Sequence, residues 1–130
     1  MIEPVANNIN YQLARKLLDA SVMRQEAIAN NIANVDTPGY RRLDVAADFG
    51  QTLRAQFAPG ATPRAGALDS LRPRLAVDNT VHSVRPDGNS VELESELMAM
   101  GRNRVDHEFL TELVSRNIKQ LKMAISGHAA

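Results

Sequence analysis

Few side chains in this sequence combine the types and the spacing that catalysis needs. His82, His107 and His128 lie far apart along the chain. His107-Glu108 lacks the second histidine that a helical zinc site requires. Each imidazole therefore reads as a solvated or interface group. Glu92, Glu94 and Glu96 cluster in sequence, but on a helix only Glu92 and Glu96 share a face. Acids in a first helical turn complement the positive end of the helix dipole without any catalytic role. Tyr40-Arg41-Arg42 could touch a phosphate, yet no basic stripe extends the pair. Neither a glycine-rich phosphate loop nor a Gly-x-Ser-x-Gly turn occurs. No catalytic residue, no metal site and no cofactor is expected.

What remains is hydrogen-bonding chemistry, concentrated in residues 26–42. Ile28, Ile32 and Val35 fall at helical spacing and form an apolar stripe. Asn30, Asn31 and Asn34 lie between them. Asparagine is a poor helix interior residue, because its amide competes for backbone hydrogen bonds. Two readings fit: a fraying helix end, or amides that bond to a neighbouring chain. Thr37-Pro38-Gly39-Tyr40 then stops the helix, and Pro-Gly at its centre predicts a type II turn with Gly39 at positive φ.

The elements that position these residues follow from periodicity. A first helix is expected from about residue 10 to 35. Its stripe runs through Ala14, Leu18, Ile28, Ile32 and Val35, interrupted by Ser21 and Gln25. A second is expected from about 90 to 126, opened by an Asn89/Glu92 capping box and stopped by Gly127. Its stripe is Leu93, Leu97, Met100, Val114, Ile118, Leu121 and Ile125, broken by Arg104, His107 and Thr111. Such narrow seams on long helices suit a coiled coil. Gly101 makes a bend near 101–107 plausible. Between the helices, Phe49, Leu53 and Phe57 predict a short helix from about Asp44. Residues 58–74, with Pro59, Pro63 and Pro73, read as loop. Leu75–Val77 and Val81–Val84 form either a weak hairpin or irregular chain.

The expected fold is mainly α: N- and C-terminal helices paired as an antiparallel coiled-coil hairpin around a loop-rich middle. The divisions are 1–40, 41–88 and 89–130. Composition agrees. The 130 residues are 44% hydrophobic but only 4% aromatic, and there is no Cys. A core of aliphatic side chains suits helix packing, and no disulfide or thiolate site holds the fold. A formal net charge of +0 argues against a nucleic-acid partner. Charge is uneven: residues 87–112 carry seven acids against two Arg, whereas 113–130 carry Arg116, Lys119 and Lys122 and no acid. No cleavable secretory signal opens the sequence, and no run is apolar enough to insert in a membrane. A two-helix hairpin alone buries little, so full folding is expected only when other chains cover the free faces.

Residues 30–40, Asn-Asn-Ile-Ala-Asn-Val-Asp-Thr-Pro-Gly-Tyr, resemble the N-terminal signature of the bacterial flagellar rod and hook proteins. The Asp36-Thr37-Pro38-Gly39-Tyr40 ending, followed by Asp44 and Phe49, is most similar to the proximal rod type. Asp87-Gly88-Asn89 with Val91, Glu96, Asn103 and Leu121-Lys122 is similar to the matching C-terminal signature. His107 departs from it, since Tyr is usual there. The likeness covers about 10–57 and 87–127, and 58–86 matches nothing specific. It implies terminal helices that pair and stack, with copies and paralogues, into a hollow periplasmic rod that transmits torque and lets exported subunits pass. It implies partners among other rod proteins, the ring and export-gate junction, and the type III export apparatus. Phe49-x-x-x-Leu53 has two readings: packing of the short helix, or an export element similar to that of early export substrates. A helical adaptor or export chaperone binding one partner helix is the competing class.

Overall fold

The computed structural model describes residues 9–62, 65–81 and 83–127. His82, His128, Pro63 and residues 1–8 lie outside them. Helix α1 (Ile9–Ala33) and helix α3 (Leu93–Ser126) are the two long elements. Their 25 and 34 residues make rods of about 38 and 51 Å at 1.5 Å per residue. They run antiparallel: Asn31 near the end of α1 meets Glu96 at the start of α3, and Ser21 meets His107. Among the described residues no helix is long and apolar enough to cross a membrane.

The middle is more structured than its composition predicts. Strand β1 (Leu43–Val45) leads into helix α2 (Ala47–Gln56), so the short helix begins after Asp44 rather than at it. A single 3-10 turn covers Ala65–Leu68. Strand β2 (Leu75–Val77) pairs antiparallel with β1, in register Leu43↔Val77, Asp44↔Ala76 and Val45↔Leu75. Of the two readings left open for 75–77 and 81–84, the hairpin does not form, because Leu75–Val77 pairs with β1 instead. Asp78 accepts both the N–H and the hydroxyl of Thr80 (2.8 and 2.6 Å), which turns the chain away after β2. The free strand edge then finds a partner about thirty residues upstream, beyond the reach of a local pattern.

The apolar core lies on the α2 side of α1, not between the long helices. Ala20, Phe49, Leu53 and Leu68 are buried together, with Leu13, Leu17, Val45 and Leu71 packed around them. Phe57, a turn beyond Leu53, stays exposed. Helix α3 is unbroken through Gly101 and ends at Gly127, whose φ is 69° and whose N–H donates to the Met123 carbonyl at 3.0 Å.

Candidate functional site

The carbonyls of Asn34, Val35 and Thr37 lie in the turn after α1, beyond the helix's own ladder, and take a further partner. Asn89, fully buried 55 residues away, supplies one. Its Nδ2 donates to the carbonyls of Asn34 (2.9 Å), Val35 (3.1 Å) and Thr37 (2.8 Å). Its Oδ1 accepts the Val91 N–H at 2.7 Å. The expected capping box at Asn89 is therefore corrected. The Asn89 amide is occupied by the turn that follows α1, and α3 starts later, after Glu92, without a side-chain cap.

Two turns close this joint. Tyr40 N–H donates to the Thr37 carbonyl at 3.2 Å, and Gly39 has φ 74°, as the Pro-Gly pair predicts. Gly39 N–H donates to the Asp87 carbonyl at 2.9 Å, and Ser90 N–H donates to the Tyr40 carbonyl at 3.1 Å. The Arg85 guanidinium also donates to the Val35 carbonyl. The 30–40 and 87–91 stretches are thus two halves of one clasp.

Asn31 sits behind it with no exposed surface. Its Nδ2 donates to the Leu43 carbonyl (2.9 Å) and Glu96 Oε2 (3.2 Å). Its Oδ1 accepts the Leu43 N–H (2.9 Å) and the Tyr40 hydroxyl (3.1 Å). An amide has four such bonds to make, and all four are made inside the chain. The expectation that Asn31 bonds to a neighbouring chain is corrected, because no donor or acceptor is left over. Asn34 is also engaged locally, donating to the Asn30 carbonyl (2.8 Å) and accepting the Thr37 hydroxyl (3.1 Å). The Asn30 side chain is exposed, as are Asp36, Thr37 and Pro38.

Arg42 completes the joint from β1. Its guanidinium donates to Glu96 Oε1, to Asp78 Oδ2 at 2.7 Å and to Asp44 Oδ2 at 3.2 Å. Its N–H donates to Ser90 Oγ at 2.8 Å. Burial alone would lower the Arg42 pKa, but the bonds and attraction from Glu96 and Asp44 outweigh it and the net shift is upward. Burial would raise the Asp78 carboxyl, but Thr80 and then Arg42 hold it below the usual range. Tyr40 is pushed up by burial and by the Glu96 charge. The expectation for Glu92, Glu94 and Glu96 is a first turn that complements the helix dipole. That reading fits Glu92 and Glu94, whereas Glu96 is buried and ion-paired. Arg41 stays exposed, and the charge of Arg42 is consumed internally.

Along the helix pair the contact is polar. Ser21 Oγ donates to the Leu18 carbonyl (2.8 Å) and sits 3.1 Å from His107 Nδ1. Asn103 Nδ2 donates to the Ser21 carbonyl (2.8 Å) and to Gln25 Oε1 (3.3 Å). Glu96, Asn103 and Leu110 are the buried residues of α3, one heptad apart, with Met100, Val114 and Leu121 half-buried beside them. The face toward α1 is thus turned by one position from the stripe expected at 97, 118 and 125. Leu97, Ile118 and Ile125 are exposed, and so is Leu93. On α1, Ala14 and Ile28 are buried, and Leu18 and Ile32 are half-buried. Among the described residues no cluster of acids and histidines has the arrangement of a metal site.

Residues 18–41 match the family model described as flagella basal body rod protein. The chain is 32% identical over 111 residues to the flagellar basal body rod protein FlgB of Aeromonas hydrophila, covering 80% of this chain and 83% of that one. It is 27% identical over 131 residues to the protein of that name from Borrelia hermsii, covering 90% and 96%. For the Salmonella typhimurium protein the identity is 26% over 126 residues, covering 87% and 90%.

Proposed function

The chain belongs to the family of the flagellar basal body rod protein FlgB, and from that premise we propose that its helix hairpin is a torque-bearing unit of the proximal rod. Its role is structural, in assembly with other rod and basal-body proteins. In this reading the subunits surround a channel through which exported proteins pass, within the periplasm, and the chain itself leaves by the type III export apparatus. Its neighbours are further copies, other rod proteins and the junction with the rings and export gate.

One observation carries the reading. The two sequence-distant signatures form a single clasp that locks the end of α1 to the start of α3 through Asn89, Asn31 and the Arg42–Glu96 pair. A shaft under torsion needs its helix pair fixed in angle, and hydrogen bonds in a buried network fix angle where apolar contacts alone slide. The exposed apolar residues Leu97, Ile118 and Ile125 and the exposed Asn30 are the groups available to neighbouring subunits. Phe49 and Leu53 are buried in the core, so an export element at these residues acts on the unfolded chain.

Deletion of the gene should leave basal bodies without a rod, and an epitope-tagged copy should restore swimming and co-purify with basal bodies. Recovery of the tagged chain only as a soluble complex with one unassembled partner would overturn the rod reading in favour of an adaptor.

A further inference from the structure

Helix α3 packs on α1 through a largely polar seam and leaves an apolar row outside it. Glu96, Asn103 and Leu110 turn toward α1. Outside that seam Met98, Val105 and Phe109 are 60%, 65% and 61% exposed, Phe109 at the edge of the cleft it lines with Ala20 and Phe49. Spacings of seven and four place them in one line along the helix. Arg102 stands among them, exposed and without an ion-pair partner among the described residues. Exposed apolar side chains scattered singly need no explanation, but a row along one helix does.

A receptor for that row exists on a different face of the same molecule. A groove of about 650 Å³ runs beside the α1–α3 pair, lined by Val22, Ala29, Leu97, Met100 and Gly101. Small residues at Ala29 and Gly101 leave room for close approach, and a Cβ placed on Gly101 would meet nothing within 4 Å. Glu26 lines the same groove, exposed and likewise without an ion pair among the described residues. Ridge and groove are each half of a contact, and the two unpaired charges, Arg102 and Glu26, are opposite in sign.

Resting on the rod reading, we propose that the Met98–Val105–Phe109 ridge of one copy seats in the groove of the next, with Arg102 facing the neighbour's Glu26. The contact joins unlike surfaces and, in a rod of repeating subunits, is heterologous. It repeats from copy to copy and does not close into a two-fold dimer. A two-fold pair would instead seat each ridge in the other copy's groove and stop at two chains, so a chain carrying Ala29→Cys and Val105→Cys together tells the two apart: only the repeating contact links more than two copies.

The chain has no native cysteine, so engineered ones report cleanly. Two chains are co-expressed in a deletion strain, one Ala29→Cys and the other Val105→Cys with an epitope tag, and purified basal bodies are oxidised with diamide. The expected result is a mixed disulfide species at twice the 14.2 kDa chain mass, formed only when both variants are present. Swimming cells in which Val105→Cys links to itself, or in which both chains reach the basal body without linking, would overturn the ridge-and-groove contact alone. Immunoblotting of the same basal bodies reads the rod assignment separately, since its failure leaves both chains absent. Photo-crosslinking from p-benzoylphenylalanine at Val105 should capture a second copy, and capture of a different rod protein overturns the choice of occupant.

Discussion

Gly88 and Gly39 touch across the clasp. A Cβ on Gly88 would lie 3.3 Å from the Gly39 Cα, and both residues hold positive φ, at 85° and 74°. The two turns approach this closely because neither carries a side chain at the contact. Gly88→Ala should therefore lose on two counts. The left-handed conformation costs about 1–2 kcal/mol for an L-residue, and the added methyl must push backbone aside. Urea unfolding should show a loss of at least about 1 kcal/mol. Gly50→Ala, inside α2 with open space around it, should instead gain up to about 1 kcal/mol. Equal effects at the two sites would dismiss the clasp as a source of stability.

Asn31→Ala should destabilise the chain, not strengthen its helix. Alanine is the better helix former by well under 1 kcal/mol. Against that, the substitution strands the Leu43 N–H and carbonyl, the Tyr40 hydroxyl and one Glu96 oxygen. Orphaning a buried polar group costs about 1–3 kcal/mol. Thermal unfolding should fall markedly for Asn31→Ala and hold or rise slightly for the exposed Asn30→Ala. A neutral Asn31→Ala would show that the four bonds contribute nothing net.

What the sequence made legible divides along physical lines. The two long helices, the Pro-Gly turn and the Gly127 stop were readable, because each depends on neighbours within a few residues. Burial of Asn89 and Glu96 was not. Asparagine before a helix ordinarily caps it, and an acid in a first turn ordinarily faces water, so local rules assign both to the wrong partner. A nonlocal clue was present in the Asp87-Gly88-Asn89 stretch, whose Asn89 carries the amide that the carbonyls of the turn after α1 bond to. Alternate positions of the seam, 97, 104 and 111 in place of 96, 103 and 110, were misread by one for the same reason, while Met100, His107, Val114 and Leu121 hold their places. Asn103 and Glu96 are polar residues at core positions, so an apolar stripe search slides to Leu97 and Arg104 instead.

Phe49 is 5% exposed and packs with Ala20, Leu53 and Leu68. Truncation to Ala should cost about 3–5 kcal/mol in the folded chain. Packing and export separate with a second variant. Phe49→Leu keeps apolar volume and should cost less than Phe49→Ala. If Phe49 also serves export, secretion of unfolded chain in a strain blocked at later rod stages should drop for Phe49→Ala, with no matching drop for a core substitution outside the motif, Leu68→Ala. Equal secretion of both would leave packing as its only role.

Glu96→Ala removes the buried partner of Arg42. Breaking a buried ion pair from one side costs about 3–5 kcal/mol, because the surviving charge stays desolvated. Here Asp78 and Asp44 still face Arg42, so the low end of that range is expected. The double variant Arg42→Met with Glu96→Leu restores charge balance only partly, since both aspartates then lose their cation. It should recover less than an isolated pair would, and full recovery would show that Asp78 and Asp44 are not coupled to Arg42.

Acid should loosen the same joint through Asp78. Its carboxyl titrates below the usual range in the folded chain, held there by Thr80 and by Arg42 against the opposing effect of burial. In the unfolded chain it titrates near the ordinary value, about 3.9. Between those two values the unfolded chain binds more protons than the folded one, so stability rises with pH across that window. The contribution of Asp78 is complete above about pH 4 and is lost as pH falls through the folded pKa. Asp78→Asn cannot titrate, and it weakens the bond to Arg42 at every pH. Stability of the wild type and of Asp78→Asn, measured by urea unfolding from pH 6 down to pH 2.5, should therefore differ most at pH 6 and converge toward the acid end. A constant difference over that range would mean that Asp78 titrates alike in both states and that Arg42 does not hold it ionised.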